Sequence, residues 1–179
     1  LVQLTDLHLQ NSSAVGLGHG HLQLFPQEGI ALDRDAARCN ELHLQVLGQN
    51  TLLLPHALEV CRGLSREHRL YIVTNAVAAV QRSRLAGSAI APYITGAFIS
   101  EEAGASKPSA AYFDYVFSRI DGITRENCLL VGDSLSSDIR GANNYGLPCC
   151  WYNPKEAARP EDLRIDYEIL DLRQLYDRV

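Results

Sequence analysis

Residues 131–139 read Val-Gly-Asp-Ser-Leu-Ser-Ser-Asp-Ile. Asp133 directly follows an apolar run, where a carboxylate can hold a divalent cation. Asp138, five residues on, can join it or orient its waters. Gly132 lets a bulky ligand approach the backbone. The same two acids would equally serve to cap a helix and complement its dipole. Thr74 and Asn75 follow the apolar run Leu70–Val73. A hydroxyl and an amide at a strand end can donate hydrogen bonds to a phosphoryl oxygen, or simply cap the next helix. Lys107 precedes Pro108. A cation before a helix start can neutralise a phosphate that backbone amides also face, although a lone lysine is more simply a surface residue.

These residues need elements to position them. Leu70–Thr74 is short, apolar and partly β-branched, as a buried parallel strand requires. Ala97–Ser100, Cys128–Val131 with Gly132 at its end, Leu147–Tyr152 and Tyr167–Leu170 read as further strands. Between them lie helix-length segments. One opens at Pro55 and runs through Leu58, Cys61 and Leu64. The others are Ala76–Leu85, Pro108–Ile120 and Ser134–Tyr145, the last closed by Gly146. A short helix ends the chain. Strands alternating with helices predict an α/β fold with a parallel sheet, whose ligands bind at the C-terminal strand edge. Upstream, Asp33 or Asp35 can cap a helix reaching Leu47, with Gly48 as its stop. Residues 1–32 show no sustained periodicity.

Composition narrows the class. The chain has 179 residues, 46% hydrophobic and 21% charged, an ordinary globular mixture. Its net charge of -5 without a basic block argues against a nucleic-acid partner. No apolar run approaches a membrane span and no signal peptide opens the chain. Five cysteines without C-x-x-C spacing (39, 61, 128, 149 and 150) suit reduced core thiols in a cytoplasmic protein rather than a zinc site.

In order along the chain, hydroxyl, lysine and acidic pair together resemble the haloacid dehalogenase-like (HAD) hydrolase superfamily. Ile72–Asn75 matches its second motif, Ser106-Lys107-Pro108 its third, and Gly132-Asp133 through Asp138 its fourth. The segments LYIVTNA at 70–76, ISEEAGASKP at 99–108, Phe113-Asp114-Tyr115, VGDSLSSDIRG at 131–141 and WYNP at 151–154 look like the noncanonical pyrimidine 5'-nucleotidase branch. The resemblance implies a Rossmannoid core with a helical cap, and magnesium-dependent hydrolysis of a small-molecule phosphomonoester, a nucleotide in that branch. In the superfamily an aspartate attacks phosphorus and a second aspartate acts as general acid and base. Carried over, Asp133 is a magnesium ligand supported by Asp138. Thr74 and Asn75 bind the phosphoryl group, and Lys107 stabilises nucleophile and developing charge.

The first family motif, a strand followed by Asp-x-Asp-x-Thr, is not found. Asp33-Arg34-Asp35 has the local spacing but is followed by Ala36-Ala37, and too few residues separate it from Thr74 to hold a full cap. Asp6 lacks an acidic partner two residues later. With no methionine anywhere in the chain, the expectation is a truncated member that has lost its nucleophile and the central strand carrying it. Residues 1–10 or 21–25 are the alternative source of a substitute strand. Residues 1–52 are then a disturbed N-terminal region with a cap remnant at Asp33–Gly48, and 53–179 the core. Trp151 and Tyr152 are expected near the site or in the core.

Competing readings follow from the same residues. Without a nucleophile the chain could bind magnesium and phosphate without turnover. Gly132–Leu135 spells the block of the GDSL serine esterases, but no histidine follows Ser134, the last being His68. A receiver domain would carry its acidic pair early. No G-x-G-x-x-G or Walker motif is present. His19 and His21 could bind a metal, but two isolated histidines in a glycine-rich stretch are more often plain loop.

Overall fold

A computed structural model describes residues 2–4 and 51–179. The predicted helix at Asp33–Gly48, the carboxylates Asp6, Asp33 and Asp35, the pair His19 and His21, and Cys39 lie outside the described residues.

Among the described residues six strands form one sheet in the order β3-β2-β1-β4-β5-β6, and every neighbouring pair is parallel. They are β1 (Val2–Leu4), β2 (Leu70–Thr74), β3 (Gly96–Ile99), β4 (Leu129–Gly132), β5 (Cys149–Tyr152) and β6 (Tyr167–Ile169). The helices are α1 (Ala57–Leu64), α2 (Ala78–Ala86), the single turn α3 (Ser100–Ala103), α4 (Ala110–Phe117) and α5 (Arg140–Tyr145). A short 3-10 helix, Leu172–Asp177, ends the fold.

The side chains alternate across the sheet as the pleat requires. Leu70, Ile72, Leu129, Val131, Cys150 and Ile169 face one layer, with Val60, Cys61, Leu64, Leu172 and Leu175. Tyr71, Val73, Leu130, Cys149 and Trp151 face the other, with Tyr112, Phe113, Val116, Ile139 and Leu147. Burial on both faces explains why β2, β4 and β5 read as continuous apolar runs. The described cysteines are all buried. Burial pushes the thiols of Cys61 and Cys150 up to about 12, as expected of unreactive core residues.

The front of the chain departs from expectation. The central strand was expected to be lost, with residues 1–10 or 21–25 as the alternative source; Val2–Leu4, within the first of these, occupies that place, pairing with Leu70–Ile72 on one side and Leu129–Val131 on the other. Part of the N-terminal region therefore belongs to the sheet of the core. Strand order reverses direction at β1, running outward through β2 and β3, then returning to β4, β5 and β6. Such a switch point leaves a crevice at the carboxyl ends of the central strands, the place where doubly wound sheets bind ligands.

Candidate functional site

Three connections converge on that crevice. Thr74 closes β2, Asp133 follows β4, and Lys107 lies on the loop between α3 and α4. Leu4 pairs with both Ile72 and Val131, so Thr74 and Asp133 each stand two residues beyond a partner of Leu4.

Lys107 is the organising cation. It is 5% exposed. Its Nζ donates to the Val73 carbonyl at 2.7 Å and to Asp138 Oδ1 at 2.7 Å. The other Asp138 oxygen, Oδ2, accepts from the Ser134 backbone N–H at 3.1 Å. Each oxygen of this carboxylate already serves a protein donor, and the residue is 2% exposed. Of the two roles expected of Asp138, support of the site is the one these contacts display. An ammonium carries three protons. Among the described residues two of them have partners, which leaves one for a ligand.

The local fold puts Asp138 in place through a π-helical turn at Leu135–Ile139. Ser134 accepts the backbone N–H of Ile139 at 3.1 Å and of Asp138 at 2.9 Å, and its hydroxyl accepts from Ser137 N–H at 3.2 Å. The wider turn swings Asp138 back under β4, against Gly132. A methyl group on Gly132 would overlap the Asp138 carboxylate, so this glycine makes room for the ion pair rather than for a ligand. The sequence predicted one helix from Ser134 to Tyr145. The π turn and α5 together fill that span.

Asn75 has a contact that the sequence did not foretell. Its Nδ2 donates to the Lys107 carbonyl at 2.9 Å, and its Oδ1 accepts the Lys107 backbone N–H at 2.9 Å. One amide proton and the amide oxygen are thus taken up by the lysine's backbone, and Asn75 clamps β2 to the lysine loop. Thr74 keeps the position predicted for it. It is 3% exposed, its N–H donates to the Tyr112 hydroxyl at 3.0 Å, and its Oγ1 lies 3.4 Å from Gln81 Nε2.

Asp133 is exposed at the end of β4, and its carbonyl accepts from Trp151 Nε1 at 3.0 Å. This bond places Trp151 beside the site as well as in the core. Magnesium takes hard oxygen ligands, often one or two carboxylates completed by substrate phosphate and water. The Asp133 carboxylate on a solvent-facing turn rich in serine hydroxyls fits that demand. Among the described residues no cluster of three or more His, Cys, Asp or Glu gathers to cage a metal by itself.

Tyr112 and Gln81 were not read as site residues in the sequence. Tyr112 lies within the segment read only as a helix, yet its hydroxyl accepts from Thr74 and donates to the Phe98 carbonyl at 2.7 Å. A fully buried tyrosine needs such partners, and burial raises its pKa.

Comparison with known proteins bears on the family. The HAD-hydrolase-like family model matches residues 104–172, the stretch that holds Lys107, Asp133 and Asp138. YfnB of Bacillus subtilis, named as a HAD-hydrolase, is 36% identical over 80% of this chain and 61% of its own length. Its magnesium-bound crystal structure superposes with a TM-score of 0.76, covering 80% of this chain and 63% of that one. The chain belongs to the haloacid dehalogenase-like hydrolase superfamily. Two further relatives within the superfamily are named pyrimidine 5'-nucleotidases. PynA of Streptococcus pneumoniae is 37% identical over 64% of this chain and 48% of its own length. YjjG of Escherichia coli is 28% identical over 91% and 71%. The chain spans about half to two thirds of the length of the first two of these curated relatives. Among the described residues no helix is long and apolar enough to cross a membrane.

Proposed function

We propose that this chain carries the phosphoryl and magnesium site of a phosphomonoester hydrolase whose substrates are nucleoside 5'-monophosphates, pyrimidine nucleotides foremost. The observation that carries the reading is the convergence of Thr74, Lys107 and Asp133 on the crevice at the β1 switch point. The Thr74 hydroxyl binds a phosphoryl oxygen. Lys107, fixed by Asp138 and by the Asn75 clamp, directs its remaining proton at the same group and offsets charge as it develops. Because the clamp and the ion pair are formed in advance, little reorganisation accompanies binding. Asp133 holds magnesium, which when bound neutralises charge on the transferring group. The nucleotide preference is supported by the names of PynA and YjjG.

The attacking carboxylate is not among the described residues. By sequence count Asp6 stands two residues beyond Leu4, the offset that Thr74 keeps from Ile72 and Asp133 from Val131. No acid follows it at position 8, where His8 stands. That absence supports a second reading, a member without its attacking carboxylate that binds phosphate and magnesium without turnover.

The test is phosphate release from a pyrimidine nucleoside monophosphate panel and an aryl phosphate, with magnesium, by the parent chain and by Asp133→Asn. Turnover that disappears in the variant supports the hydrolase. Asp6→Asn, then Asp33→Asn and Asp35→Asn, then locate the nucleophile. Magnesium and phosphate binding by a folded chain without turnover establishes the second reading instead. A folded chain that neither turns over nor binds either ligand removes both.

A further inference from the structure

Gln81, on α2, is 3% exposed. Its Nε2 lies 3.4 Å from the Thr74 hydroxyl oxygen, and its Oε1 is buried without a hydrogen-bond partner among the described residues. Packing alone does not explain a glutamine here. A methionine of similar length would fill the space without stranding an acceptor, and a buried acceptor left unpaired is a net cost to stability. The amide is held for what its other end does.

A threonine hydroxyl has one proton and two acceptor sites. When the Gln81 amide donates to Oγ1, the hydroxyl proton must find an acceptor elsewhere. The Val73 carbonyl close by already receives Lys107 Nζ at 2.7 Å. We propose that Gln81 is a positioning residue: by occupying the acceptor side of the Thr74 hydroxyl, it commits that hydroxyl to donate toward a phosphoryl oxygen. The proposal rests on the reading of this edge as a phosphoryl site. It goes beyond that reading by assigning a function to a residue of the next layer.

The measurement is the affinity of the full chain for inorganic phosphate, by calorimetry at saturating magnesium, alongside the melting temperature. No turnover is needed. Gln81→Met should weaken phosphate binding roughly three- to tenfold, the scale of one neutral hydrogen bond, with the melting temperature unchanged or raised. Gln81→Glu keeps the shape and, measured at a pH high enough to ionise the buried carboxyl, presents only acceptors. It should draw the Thr74 proton inward and weaken binding further than Gln81→Met. In a Thr74→Val background, Gln81→Met should have no further effect on affinity. Should Thr74→Val weaken binding while Gln81→Met does not, the proposal fails and the phosphoryl site stands. An equal effect of Gln81→Met with and without Thr74 reduces Gln81 to a structural residue. A folded parent that binds no phosphate overturns the site reading and this inference together. If Gln81→Met does not fold, the Gln81→Glu comparison in both backgrounds decides alone.

Discussion

At the scale of single residues, the site is held by a buried ion pair whose partners cannot be exchanged one at a time. Lys107 and Asp138 are 4% and 3% exposed at their side chains. Removing one charge leaves the other uncompensated in a poorly hydrated place, a loss of roughly 3–5 kcal/mol in comparable pairs. Asp138→Asn is therefore expected to lower the unfolding free energy by about that amount in urea titration. The double variant Lys107→Met with Asp138→Leu should recover most of the lost stability, because two apolar side chains need no charge compensation. It should not recover phosphate affinity. Recovery of both would mean that Lys107 serves the fold alone. The sequence displayed the types and spacing of Thr74, Lys107, Asp133 and Asp138, but not their division of labour. Asp138 and Asn75 both looked like ligand-facing groups, because sequence shows a polar side chain and not the donor already bound to it. Only the folded geometry shows one Asp138 oxygen and the Asn75 amide engaged with Lys107, and the other Asp138 oxygen with the Ser134 N–H.

At the scale of elements, legibility followed burial. β2 was readable to its ends, because a strand covered on both faces leaves an uninterrupted apolar run. The helix after Lys107 was expected to open at Pro108, but α4 begins at Ala110 behind Ser109. The π turn was invisible, since it is selected by where Asp138 must point rather than by local propensity. The final helix carries its own start signal. Asp171 accepts the Arg173 N–H at 2.9 Å, while Gln174 Oε1 accepts the N–H groups of Leu170 at 2.7 Å and Asp171 at 3.1 Å. Hydrogen bonds from the Arg173 side chain and backbone hold the Asp171 carboxyl down at about 2. Its pKa is lower in the folded chain than the ordinary value of about 3.9. Its contribution is thus fully present above pH of about 4 and lost as pH falls from there toward about 2. Asp171→Ala should cost about 1 kcal/mol at neutral pH, the usual worth of such a cap. The gap between parent and variant should close on acidification. A gap that persists at the acid end would assign the loss to something other than the carboxylate.

At the scale of the whole molecule, everything at the crevice depends on three residues. β1 pairs on both sides, and adjacent strands lie about 4.8 Å apart. It therefore sets the spacing between β2, which ends in Thr74, and β4, which leads to Asp133. Lys107 ties the two flanks together by bonding Val73 on one side and Asp138 on the other. This strand was the least legible element of the core. A central strand can be specified by backbone pairing with two neighbours, so its own side chains need not form an apolar run, and here the middle residue is Gln3. In a strand paired on both sides every N–H enters the ladder, so Gln3→Pro removes a bond that nothing replaces. The expected cost is about 3 kcal/mol or more. Gln3→Ala keeps the N–H and should stay within about 1 kcal/mol of the parent. The proline variant should therefore unfold at clearly lower urea and lose phosphate affinity with it, since Thr74 and Asp133 would no longer be held at a fixed separation. If both variants unfold with the parent and bind phosphate alike, β1 does not hold the halves together. The crevice would then have to be organised by the Lys107 bridge alone.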